Sequence, residues 1–144
     1  MVHTPSYFEY YDHTYVVEST PDGGLTGRIL NWKTGAFEEK PEHVTDVLLD
    51  HSPDIRSLDR ERFVRRTEEE RHHYLRGDGP IFALYQTIDA IWAATEEEHR
   101  KITKEERALI DSLYRRTFKM WEDEFARRDA GEAPAFTFTS VLAR

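Results

Sequence analysis

Apolar positions along the chain fall into two regimes, strand-like up to about residue 40 and helix-like from there to about residue 130. Tyr7 to Tyr11 and Thr14 to Ser19 are rich in aromatic and β-branched residues, the composition of strands. Pro21-Asp22-Gly23-Gly24 supplies positive-φ turn positions before a third strand from Leu25 to Trp32. Lys33-Thr34-Gly35 predicts a hairpin turn with Gly35 left-handed, leading into Ala36-Phe37-Glu38. The sum is an antiparallel meander over residues 1–40.

Beyond Pro41 the period becomes helical. Val44, Val47 and Leu48 predict a short helix, and Ser52-Pro53 or Ser57 starts another with Phe63, Val64, Thr67, Tyr74 and Leu75 on one face. Gly77 stops it and Asp78 caps the next, whose stripe is Ile81, Leu84, Tyr85, Ile88, Ile91, Trp92 and Thr95. Thr103-Lys104-Glu105-Glu106 is a capping box for a last helix to about Arg128, halted by Gly131 and Pro134. Residues 131–144 form a tail in which Phe136 to Val141 has strand composition. The predicted fold is one α+β domain over 1–144. In it the meander packs on three to four helices that cover one face of the sheet, and the tail returns as a short edge strand. Leu109, Ile110, Leu113, Tyr114, Met120, Trp121 and Phe125 span about half the last helix's circumference, so that helix is central or buried on two sides.

Composition narrows the functions. The 144 residues include no cysteine, which removes disulfides, thiolate metal sites and cysteine nucleophiles. A net charge of −8, spread along the chain, opposes nucleic acid and anionic membranes and suits a basic partner. The opening residues lack the pattern of a signal peptide, and a cytoplasmic location is the expectation.

The candidate chemistry is sparse. Glu70-x-x-His73 and Glu96-x-x-His99 have the spacing by which carboxylate-bridged metal bundles bite an ion, but His72 and His73 project away from the apolar face of their helix. Only His99 follows an apolar stripe, where it would be interfacial, so no metal and no cofactor are expected. Glu124 lies within an apolar arc, where a carboxylate can act as acid or base, or pair with Arg128. Arg76-Gly77-Asp78 spells an adhesion tripeptide that a helix stop and a helix cap explain. There is no phosphate loop, dinucleotide fingerprint or nucleophile elbow.

The balance leans against catalysis. It favours a cytoplasmic protein–protein interaction module: an acidic inhibitor, antitoxin-like or immunity-like protein. The alternative is a small-molecule-binding domain or enzyme with an aromatic-lined pocket between sheet and helices, walled by Tyr10, Tyr15, Trp32, Tyr85 and Trp92. Trp121 and Phe125, lying with Phe118 at the margin of the last helix's arc, predict a homodimer built through that helix, the tail, or both.

Overall fold

The computed structural model describes residues 3–142. The meander forms as the sequence predicts. Strands β1 (Ser6–Tyr10), β2 (His13–Ser19), β3 (Leu25–Leu30) and β4 (Phe37–Glu39) pair antiparallel in chain order. Tyr11 and Asp12 both take positive φ (46° and 72°), so Tyr11 belongs to a tight primed-type turn and not to β1. Gly23 and Gly35 take the left-handed positions at the next two turns.

The chain then departs from the helical expectation. After a 3₁₀ turn at Pro41–His43 and the short helix α1 (Val44–Leu49), residues Ile55–Leu58 form a fifth strand, β5, where the sequence pattern predicts a helix. β5 pairs antiparallel with β1 and completes the sheet order β4-β3-β2-β1-β5. The span Ile55–Leu58 is four residues, too few to set a period, and the open edge of β1 decides the matter.

Helix α2 (Arg60–Tyr74) is capped by Asp59, whose side chain accepts from the Arg62 amide, and not by Ser52 or Ser57. It ends at Tyr74 and runs into a short strand, β6 (Leu75–Gly77). Gly79, not Asp78, occupies the cap of α3 (Pro80–Glu97), with φ 117°. The Thr103–Glu106 capping box opens α4 (Lys104–Asp129) as expected. The tail folds back as β7 (Phe138–Ser140), antiparallel to β6, in a two-stranded sheet of its own. The architecture is α+β. Among the described residues no helix is long and apolar enough to cross a membrane.

Both faces of the five-stranded sheet are covered, not one. Phe8, Tyr15 and Val17 point to one side and pack under Val44, Val47 and Leu48 of the α1 segment. Tyr7 and Val16 point to the other and meet Phe63 and Val64 of α2 and Phe118 of α4. Helix α4 lies against both α2 and α3, which accounts for its wide apolar arc. Between the helices a third cluster centres on Leu75, Ile81, Tyr85, Ile88, Ile110 and Trp121.

Candidate functional site

The residues singled out from sequence do not converge. Tyr10 and Tyr15 lie on the α1 side of the sheet, where the Tyr15 hydroxyl donates to the Lys40 carbonyl at 2.6 Å. Trp32 is sandwiched between His13 and Tyr74, with ring centroids 3.7 and 4.5 Å away, and its indole N–H donates to Glu70 at 2.6 Å. Tyr85 sits inside the helical core, and Trp92 is exposed on α3 under the Arg107 guanidinium. These five side chains line no common cavity. His99 is exposed, in a left-handed residue just beyond α3, and is not interfacial. Trp121 is fully buried by Phe82, Phe136 and Phe138 and stacks on Phe125, so the chain's own tail supplies the cover that a second copy was expected to bring.

Glu124 pairs with Arg128 at 2.7 Å and Arg127 at 3.1 Å, and accepts the Ala135 amide at 3.0 Å. Burial pushes its pKa up, but these donors outweigh burial and hold the carboxyl below its ordinary value. It anchors the tail to α4 as an ionised group. Glu70 turns toward the sheet while His73 is exposed, and among the described residues no group of three or more histidines and carboxylates could hold a metal ion.

What the structure does assemble is a charged interior on α2. Glu68 is completely buried and its carboxylate takes Arg71 Nη1 at 2.9 Å, the Tyr85 hydroxyl at 2.8 Å and the Thr117 hydroxyl. The Trp121 indole N–H donates to Tyr85 at 2.9 Å, extending the network across the helical core. Arg71, 3% exposed, also donates through Nε to the Gly35 carbonyl at 2.8 Å. Its guanidinium carbon lies 5.5–5.9 Å from the rings of Trp121, Phe37, Phe118 and Phe125. No bond among the described residues engages its Nη2. Burial raises the Glu68 pKa against the opposing pull of Arg71 and the hydroxyls. Sequence carried a signal for this pair that the apolar reading passed over. Phe63, Thr67 and Arg71 stand at successive i+4 positions, as do Val64 and Glu68, so both charges project onto the inward face.

Arg71 lines the floor of a cleft of about 440 Å³ between the sheet and α4. Tyr7, Phe37, Phe63, Phe118 and Phe125 wall it, and Ala36 and Ala126 belong to its lining. The Arg28–Glu18 ion pair, Arg60, Glu122 and Asp129 also line it, with Pro5 and Val16.

A second recess, of about 570 Å³, lies where α2 meets α3 and α4. Here His72, expected in solvent, bonds through Nδ1 to the Tyr114 hydroxyl at 2.8 Å and through Nε2 to Asp89 at 2.9 Å, with its ring flat against Tyr85. An aspartate on Nε2 calls for a proton there, so Nδ1 accepts from Tyr114. The order aspartate–histidine–hydroxyl is that of a nucleophile relay. Burial first, and then the charges of Glu69, Glu68 and Asp89, raise the Tyr114 pKa and keep it a neutral donor. The relay ties three helices together, with His72 on α2, Asp89 on α3 and Tyr114 on α4.

No family model, curated protein or solved structure matches the chain.

Proposed function

We propose that this protein is a small-molecule-binding domain, its ligand seated in the aromatic cleft between the sheet and α4. The observation that carries this reading is Arg71 at the cleft floor, paired from behind with the fully buried Glu68. Taking two charges out of water costs several kcal/mol per ion, roughly, and apolar residues of similar volume often serve stability as well or better. A buried arginine that lines a cavity, retains an open guanidinium edge and is ringed by aromatics is better explained as a recognition group than as a staple. Binding without catalysis fits the same geometry, since none of the other buried acids, Glu9, Glu70 and Glu124, lines the cleft. The protein-interaction alternative finds less support. Among the described residues the large exposed apolar side chains, Tyr11, Leu25, Leu49, Trp92, Leu109, Val141 and Leu142, are spread over six separate segments of the chain.

The test is amide-shift mapping with millimolar indole as a neutral aromatic probe. Shifts are expected at residues 36–37, 60–63, 118 and 125–126, and Ala126→Trp, on the exposed side of α4, is expected to abolish them by filling the cleft. Absent shifts, or shifts centred elsewhere, would refute the reading.

A further inference from the structure

We infer, on the reading of the cleft as a ligand site, that its ligand is a flat aromatic acid bearing one negative charge. Flatness follows from the walls. Phe37 and Phe63 lie 5.6 Å apart at 26° and Tyr7 and Phe63 4.5 Å apart at 35°, packed on one another, while the half-buried rings of Tyr7, Phe37 and Phe125 line the cleft as surfaces for another planar group.

The charge follows from the cations. Arg60 and Arg71 lie 5.8 and 5.6 Å from the centre of the same Phe118 ring, one at the exposed rim and the other at the floor. Arg60 has no carboxylate within 4 Å among the described residues, and Arg71 keeps Nη2 unengaged. A guanidinium with spare donors, at the rim or at the floor, is suited to a carboxylate, which accepts from its planar fork at charge-assisted strength.

The single charge follows from the acids. Glu68 already balances Arg71 from behind, Glu18 is bound to Arg28, and Glu122 and Asp129 line the outer part of the cleft on α4. A second negative charge on the ligand would face Glu122 and Asp129 with no further free arginine to meet it.

Titration calorimetry with 2-naphthoate, neutral 2-naphthamide and 2-naphthyl phosphate tests this on the full chain. Naphthoate is expected to bind at least tenfold more tightly than the amide and more tightly than the phosphate. Arg60→Gln, a change at an exposed residue, should weaken naphthoate several-fold and leave the amide unchanged, while Ala126→Trp should remove all binding with circular dichroism unaltered. Equal affinity for acid and amide would overturn the charge assignment and leave the ligand-binding reading standing, and tighter binding of the phosphate would overturn the single charge alone. If no probe binds, or if binding ignores Ala126→Trp, both the inference and the reading fall.

Discussion

The two faces of the five-stranded sheet are built from different materials. Under α1 the buried side chains are Phe8, Tyr15, Val17 and Val47, and the one buried hydroxyl among them, on Tyr15, has a backbone carbonyl to itself. The face toward α2 buries Glu9, Thr14, Thr67, Glu68, Glu70 and Arg71 among its aromatics. Each of those polar groups must recover in hydrogen bonds what it loses in hydration, and the balance is no better than hydrocarbon would give. The buried cluster of the apolar face holds no charged side chain. The polar face carries a cost that stability does not require, and it is the face with the cleft.

The largest test of this contrast is to break the buried pair. Glu68→Gln leaves the Arg71 charge uncompensated and is expected to cost about 3–5 kcal/mol in urea unfolding. The double change Glu68→Leu with Arg71→Met should recover most of that loss while abolishing binding in the cleft. A single substitution that costs under about 1 kcal/mol would show the pair to be solvated, against its role here.

The apolar face can be broken by volume instead of charge. A Cβ on Gly27 would stand 1.8 Å from the Tyr15 hydroxyl oxygen and 2.3 Å from its ring carbon, and that ring is fully buried in the cluster under α1. Gly27→Ala is expected to destabilise by about 3 kcal/mol through overpacking, with no effect on cleft ligands. Thermal melts and probe binding measured together separate the two faces. Loss of binding in a folded Gly27→Ala protein would show that they are coupled.

Glu70 gives the smallest effect per unit of pH and the clearest sign. Burial raises its pKa to about 8 against the pull of Trp32 and Arg66, and one carboxyl oxygen has no partner. The folded chain therefore holds this proton where the unfolded chain has released it. The stability it contributes is full below the ordinary carboxylate range and is lost as pH rises toward 8. Relative to Glu70→Gln, the wild-type protein should lose at most about 1.4 kcal/mol per pH unit across that window. A pH-independent difference between the two would show that Glu70 is ionised in the fold.

Much of this architecture is local and so was legible in the sequence. The turn at Gly35, the Thr103–Glu106 capping box and the strand composition of β1 to β3 depend on neighbours within a few residues, and each appears where the pattern put it. The double burial of α4 was legible too, because a wide arc on one helix needs no knowledge of what fills it. What only the tertiary structure decided involves partners far apart in the chain. Ile55–Leu58 is a strand because β1 offers an unpaired edge, and the tail covers Trp121 because β6 offers another. His72 leaves solvent because Tyr114 and Asp89 arrive from two other helices. The cleft is the extreme case. Its walls come from β1, the β3–β4 hairpin, α2 and α4, and its floor is an arginine that composition alone places on the surface. Burying that charge becomes affordable only when Glu68, Gly35 and the aromatic rings are already gathered around it, and no window along the chain contains them all.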